Sequence, residues 1–251
     1  MTERAFEKYD DHYLRTTAFR DSKILTPEEL ARDRAPRWLN RLPKDAHILD
    51  YGCADGYMLW VLHSLGYHNL MGADISDSVL RHARERLAGT AIELRLLESA
   101  PLDDCAGRFD AIIMHHVLEH IPRESVIPTL EFLFSLLKPG AFMSVAVPNA
   151  AALTGGFSHA IDFTHQVSFT EYSLRQALEL AGFDGVELVL HPPRLFFSPR
   201  RPLGTLKRFL GRIQYQLNNL SHFAFYLLRD QRPFPQCFEC SVELLAFHRT
   251  R

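Results

Sequence analysis

The run His47 to Leu59, HILDYGCADGYML, carries an apolar stretch into a turn holding Asp50, Gly52 and Gly56, and then into a helix-like segment. Glycines at those places permit positive φ and let a ligand lie against the backbone, and the helix start is expected to offer unpaired N–H groups, so the segment reads as a nucleoside-binding turn. A dinucleotide fingerprint would read G-x-G-x-x-G, but Ala54 stands at its middle glycine and Tyr57 at its last. Asp50 argues the same way: a carboxylate at the mouth of the turn repels a pyrophosphate and attracts an ammonium or sulfonium group. A second acidic residue, Asp74, closes the apolar stretch Asn69 to Ala73, where a carboxylate can accept hydrogen bonds from ribose hydroxyls. The implied chemistry is recognition of a nucleoside that carries positive charge, and S-adenosylmethionine (SAM) fits that description.

Asp50, Gly52, Gly56 and Asp74 match the D-x-G-x-x-x-G motif and the acidic second-strand end of the class I SAM-dependent methyltransferases, which the chain resembles. FDAIIMHHVLEHIP (Phe109 to Pro122) looks like the fourth-strand motif of the subgroup similar to ubiquinone-biosynthesis O-methyltransferases, and LLKPGAFMSVAVPN (Leu136 to Asn149) looks like its fifth strand. The likeness runs from about Ala46 to Phe183. It implies a doubly wound α/β fold with a mostly parallel seven-stranded sheet and SAM as cofactor. The resemblance places cofactor contacts at Asp50, Gly52, Cys53, Ala54, Gly56, Asp74, Ile75, Glu98, Ser99 and His115. In that scheme Asp50 positions the methionine portion, Asp74 holds ribose, Ile75 meets adenine, and Glu98 with Ser99 lies near the adenine amino group. Intact Asp50 and Asp74 speak against a non-catalytic SAM-binding subunit.

Methyl transfer to a hydroxyl requires alignment and removal of a proton, and histidine, with an ordinary pKa of roughly 6.5, suits the second task. Position must decide among thirteen histidines. His165 is the expected base, with Asp162 three residues before it to orient the imidazole if the local turn is helical. His120, in Leu118-Glu119-His120, is the second candidate, and Glu119 is expected to anchor its loop. His115 and His116 are expected to line the cofactor pocket, and His159 ranks third. No residue set has a characteristic metal spacing, and no metal is expected. Asp162-Phe163-Thr164-His165, followed by Ser168-Phe169-Thr170, resembles the D-x-T-H…F-T signature of methyltransferases of bacterial polysaccharide and lipopolysaccharide synthesis. That likeness implies a saccharide hydroxyl as acceptor, on a surface, lipid-linked or nucleotide-linked glycan. Phe157, Phe163, Phe169, Phe196 and Phe197 would instead furnish an apolar pocket for a small aromatic or quinone-like acceptor.

The elements that must position these residues alternate along the chain, as in a parallel sheet with crossover helices. Strands are expected near 46–51, 69–74, 91–97, 109–114, 141–147, 185–191 and 238–248, the last two as a hairpin. Helices are expected over Gly56 to Leu65, Asp77 to Leu87, Glu124 to Leu137 and Thr170 to Ala181, the last with an N-cap at Thr170 and a stop at Gly182. Residues 1–45 read as an N-terminal helical segment or lid, in which Tyr9 and Tyr13 could close over the cofactor, and 46–251 as the SAM-binding domain. Within the domain, residues 148–169 form the expected substrate loop and 192–236 an insertion with one or two amphipathic helices.

Composition sets outer bounds. The chain has 251 residues, 47% of them hydrophobic, enough for one domain with a sizeable core. A net charge of −2 offers no general attraction to nucleic acid, and none is expected as a partner. The basic charge is concentrated instead: between Leu188 and Arg229 stand Arg194, Arg200, Arg201, Lys207, Arg208, Arg212 and Arg229, without one acidic residue. Residues 194–229 are therefore expected to meet phosphates of a lipid-linked substrate or a membrane surface, or to form a lid or dimer contact. The charged N-terminus and the absence of a spanning apolar run lead to an expected cytoplasmic location, including the inner face of the membrane. Cys53, Cys105, Cys237 and Cys240 are expected to be buried thiols, with the lone C-x-x-C neither zinc site nor redox pair.

Overall fold

The computed structural model describes residue 29 and residues 34–192, 202–229 and 232–249. Seven strands, β1 (Ile48–Tyr51), β2 (Leu70–Asp74), β3 (Glu93–Leu96), β4 (Phe109–His115), β5 (Leu137–Pro148), β6 (Gly185–Val189) and β7 (Ser241–Phe247), lie in the order β3-β2-β1-β4-β5-β7-β6. β1 runs parallel to both β2 and β4, and β2 parallel to β3, while β6 and β7 pair antiparallel from Gly185 opposite Phe247 to Val189 opposite Glu243. The expected mostly parallel sheet with a final hairpin is what forms. The order reverses between β1 and β4, and in open sheets of this kind ligands bind beyond the carboxyl ends of strands near such a reversal.

Among the described residues from 34 onward, the α-helices are α1 (Tyr57–Ser64), α2 (Asp77–Arg86), α3 (Arg123–Leu136), α4 (Gly155–Ala160), α5 (Glu171–Leu180) and α6 (Pro202–Leu228). Ser76 caps α2 by accepting the Val79 N–H, and Thr170 with Ser173 closes a reciprocal capping box at the start of α5. β2 is buried along its whole length, which is why it reads as an unbroken apolar run rather than an alternating one.

The chain divides into two compact units. One takes in the chain up to His115 with Leu133–Met143 and the residues from His248, and the other takes in His116–Phe132 and Ser144–Phe247. In the first, Ile48, Leu49, Leu59, Leu62, Ala111 and Ile112 form a fully buried core around β1, β4 and α1. In the second, Val145, Val147, Leu174, Leu178, Val242 and Leu244 pack between the strand ends and α5.

Several expectations change. β5 starts at Leu137 because α3 passes directly into it, β3 and β7 are shorter than expected, and the substrate loop contains α4. Among its described residues the insertion holds one long helix, α6, within the expected one or two. Cys53, Cys105 and Cys237 are buried but Cys240 is exposed, and burial pushes the Cys237 thiol up to about 12, which keeps it protonated. Tyr9, Tyr13, Arg194, Phe196, Phe197, Arg200 and Arg201 lie outside the described residues.

Gly72 on β2 is required by packing. A Cβ there would come within 2.6 Å of Leu59 Cδ1, 2.7 Å of Leu94 Cδ2 and 2.8 Å of Cys53 Sγ, from three different elements at once. Gly72→Ala is expected to destabilise the protein by about 1–3 kcal/mol, the usual cost of overpacking a tight interior, as read by urea denaturation.

Candidate functional site

The first set of functional residues lies in the unit that contains β1 and β2. Gly52 (φ 80°), Ala54 (φ 46°) and Gly56 (φ 73°) all take left-handed backbone conformations between β1 and α1, and only at Ala54 does a side chain bear that strain. The turn is held mainly by its own N–H groups. Those of Gly52 and Cys53 donate to the Ala73 carbonyl, that of Ala54 to Asp74 Oδ2 at 2.9 Å, that of Gly56 to the Cys53 carbonyl, and that of Tyr57 to Asp55 Oδ1. These turn donors are therefore not free for a ligand; of the first residues of the helix, this accounts for Tyr57 alone. The arrangement strengthens the case against a pyrophosphate, which needs such donors.

Asp74 works from both oxygens, since Oδ1 also accepts the Ser76 N–H at 3.0 Å. It thereby joins the turn to the start of α2. Arg86, at the end of α2, reaches back to the turn, donating to the Asp55 carbonyl at 3.0 Å and to Asp55 Oδ2 at 2.7 Å. Asp55 and Arg86 were not singled out from the sequence, and their separation of 31 residues shows why. Asp50 is buried, and its pKa is pushed up to about 7, first by burial and then by the negative charges of Asp74 and Asp55. A buried carboxylate facing two others is a site that favours a cation, and the ammonium and sulfonium of SAM fit it. Ile75 is more than half exposed, Glu98 and Ser99 follow β3, and His115 ends β4.

The second set lies in the other unit, beginning at the residue after β4. His116 takes a left-handed conformation (φ 57°) with its N–H on the Ala146 carbonyl, and a single 3-10 turn follows over Leu118–His120. The Glu119 carbonyl accepts from the N–H groups of Gln166 and Val167, and Gln166 Nε2 donates to the His120 carbonyl, so Glu119 does anchor the loop, through its backbone. Its side chain is buried, with Oε1 3.3 Å from His116 Nδ1 and 4.0 Å from His165 Nε2. Neither carboxylate oxygen accepts a hydrogen bond. The rings of His120 and His165 meet edge to face at 4.8 Å, which brings the two candidate bases together.

Asp162 has a different task from the one expected. Its Oδ1 accepts from the Thr164 N–H and hydroxyl, and Thr164 Oγ1 lies 2.7 Å from His120 Nδ1, so Asp162 acts on His120 through Thr164 and does not orient His165. His165 Nδ1 is 3.1 Å from the His159 carbonyl instead. These partners settle the tautomers. The Thr164 proton is spent on Asp162 and a carbonyl can only accept, so both Nδ1 atoms carry hydrogen and both Nε2 atoms carry lone pairs when the rings are neutral. Burial lowers the His120 pKa, against the pull of Glu119, which favours the neutral ring. Ligating atoms of Glu119, His120 and His165 all lie within 4.8 Å of one another, a composition that divalent transition metals also use and that the sequence did not lead us to expect.

Comparison with known proteins agrees with the fold. The profile of a methyltransferase-domain family matches residues 23–188, and the chain belongs to that family. It is 31% identical over 141 residues to a ubiquinone biosynthesis O-methyltransferase of Chelativorans sp. (strain BNC1), covering 52% of this chain and 54% of that protein. It is 32% identical over 111 residues to a trans-aconitate 2-methyltransferase of Variovorax paradoxus (strain S110), covering 43% of this chain and 40% of that one. The chain thus spans about half the length, or less, of these two relatives. Among solved structures, a SAM-dependent methyltransferase from Archaeoglobus fulgidus superposes with a TM-score of 0.62 at 19% identity, covering 94% of this chain and 99% of that one. The 1,6-didemethyltoxoflavin-N1-methyltransferase of Burkholderia thailandensis, solved with S-adenosylhomocysteine, gives 0.54 at 14% identity, with 100% and 92% covered. The fold is that of the class I SAM-dependent methyltransferases, and SAM is the cofactor of this group.

The raised pKa of Asp50 sets two pH dependences. The folded form holds the Asp50 proton from the ordinary value of 3.8 up to about 7, so stability without ligand falls as pH rises through that window. Asp50→Asn should then be more stable than the parent near pH 8 by on the order of 2–4 kcal/mol, with the gap closing near pH 4, as followed by thermal unfolding. SAM, being cationic, should bind the ionised form. Calorimetry should show affinity rising up to about tenfold per pH unit until about pH 7, with proton release, and Asp50→Asn should abolish both effects.

Proposed function

We propose that this chain is an O-methyltransferase that transfers the methyl group of SAM to a hydroxyl of an apolar, aromatic or quinone-like acceptor, with His165 as general base. The observation that supports the reading is the convergence of His120, His165 and the buried Glu119 carboxylate, whose ligating atoms lie within 4.8 Å of one another. Bound SAM supplies an electrophilic methyl carbon on a sulfonium leaving group. The acceptor hydroxyl must lose a proton as it attacks, and His165 has an Nε2 lone pair to take it. The His159 carbonyl holds the imidazole by Nδ1, and Glu119, 4.0 Å from Nε2, stabilises the imidazolium that results. His120, fixed through Thr164 and Asp162 with its ring against that of His165, orients the hydroxyl.

The acceptor class rests on the loop that carries these residues. Leu153, Phe157, Ile161 and Phe163 are all more than 60% exposed there, and Leu153, Phe157 and Ile161 recur at helical spacing. An apolar surface beside a base suits a lipophilic hydroxyl. The ubiquinone O-methyltransferases among the relatives support the same class. A saccharide hydroxyl keeps the support of the Asp162-Phe163-Thr164-His165 resemblance, and the same proton chemistry would serve it.

With labelled SAM and a panel of catechols, quinols, activated sugars and glycan lipids, incorporation is expected on the phenolic and quinol hydroxyls. Labelling confined to sugars would transfer the reading to the saccharide class. His165→Ala should lower turnover about 10²–10³-fold with SAM affinity within about twofold, whereas full turnover in that variant would rule out His165 as base. A chelator should leave the parent active, and loss of activity restored by Mn²⁺ or Zn²⁺ would replace the base assignment with metal chemistry at Glu119, His120 and His165.

A further inference from the structure

Helix α6 is turned inside out. The face it presents to the rest of its unit is polar or amphipathic, with Tyr215, Asn218, His222 and Tyr226 recurring every three or four residues. Tyr215 donates its hydroxyl to Glu239 Oε1 at 2.9 Å, Asn218 Nδ2 donates to the Phe238 carbonyl, and Tyr226 donates to the Ala151 carbonyl at 3.1 Å. His222 is buried, donating from Nδ1 to the Asn218 carbonyl and accepting the Leu153 N–H at Nε2, 2.8 Å away. The opposite face carries Leu206, Phe209, Leu210, Ile213, Leu217 and Leu220, each between 42% and 63% exposed. A helix resting on a protein body ordinarily points such side chains inward. Here hydrogen bonds hold the helix down, and its apolar stripe is left facing outward.

We propose that α6 is an interfacial helix that docks the protein on an anionic lipid bilayer. Its leucine and phenylalanine stripe would lie at the boundary between headgroups and acyl chains. Exposed Lys207 and Arg229, with partly exposed Arg212, would meet lipid phosphates. Charge selects this occupant. The segment from Leu188 to Arg229 has seven basic residues and no acidic one, in a chain whose net charge is −2; three of them, Lys207, Arg208 and Arg212, lie on the helix with the bare apolar face, and Arg229 directly follows it. Two α6 helices paired with each other would bring these cations together with no carboxylate to offset them. The helix is not apolar enough to cross a membrane, since no described helix is long and apolar enough for that, so it can only lie along the surface. The inference is independent of which acceptor is methylated.

Flotation of the full chain with phosphatidylcholine vesicles, with and without phosphatidylglycerol, tests it directly. The protein is expected to float with the anionic vesicles and to bind those of phosphatidylcholine alone about tenfold or more weakly, with binding reduced by high salt. Leu210→Glu with Leu217→Glu should weaken binding to anionic vesicles by about a hundredfold, and Lys207→Glu with Arg212→Glu should remove the preference for anionic lipid. The melting temperature of the double leucine variant should match that of the parent, because Leu210 and Leu217 face solvent; Arg212 lies over the Tyr215 ring, so its variant is read against its own melting temperature. Absence of vesicle binding, equal binding to both compositions, or binding unaltered in the double leucine variant would overturn the proposal. So would a concentration-dependent dimer, seen by light scattering and lost in that variant without any vesicle binding, since the stripe would then be covered by a second copy.

Discussion

Two carboxylates at the ends of neighbouring strands impose the main constraint on the nucleoside-binding part of the molecule. Asp50 and Asp74 repel each other in a buried setting, and Asp55 adds a third negative charge. Such a group persists only where its members are separately compensated. Asp74 takes the N–H groups of Ala54 and Ser76, and Asp55 takes the guanidinium of Arg86, while for Asp50 burial and its two acidic neighbours all act to raise the pKa. The left-handed turn, the start of α2 and the reach of Arg86 from its end are therefore one arrangement. The residue left with a strained proton balance is the one that a cationic ligand would relieve.

The other unit poses a comparable problem of the same sign. Glu119 is fixed by two backbone hydrogen bonds to its carbonyl, yet its carboxylate is buried without accepting any hydrogen bond. Around it, Thr164 and the His159 carbonyl hold His120 and His165 by Nδ1. A buried carboxylate that accepts no hydrogen bond has a standing demand for positive charge. A proton taken from a substrate is one way to meet that demand.

What was legible in the sequence followed range. Asp50, Gly52, Gly56 and Asp74 sit within one strand-turn-helix-strand unit, where spacing alone carries meaning, and the alternation of apolar runs was enough for the sheet. The N-cap at Thr170 was readable for the same reason, though not its reciprocal partner Ser173. The role of Asp162 was misread because three-residue spacing suggests a direct contact with His165. The nearer Thr164 takes the carboxylate instead and relays it to His120, 44 residues away in sequence. The Arg86–Asp55 pair and the cluster around Glu119 depend on how distant segments meet, which no local pattern reports. The amphipathic spacing of α6 was visible, but not its orientation: apolar periodicity says that a helix has two faces, and ordinarily implies that the apolar one is covered.

The insertion also has a firmly fixed exit. Where the chain returns toward β7, Glu171 accepts the N–H groups of both Gln236 and Cys237 at 2.7 Å, the Tyr172 hydroxyl donates to the Phe234 carbonyl, and Asn149 Nδ2 donates to the carbonyls of Cys237 and Glu239. These anchors belong to α5 and the end of β5, not to α6. The last strand is thus set in register by side chains outside the inserted segment, and loop closure penalises added length only weakly. The way back into the sheet is thus held twice, once from α5 and β5 and once from α6 through Tyr215 and Asn218, so the helix is tied to the strand it precedes without being its sole anchor.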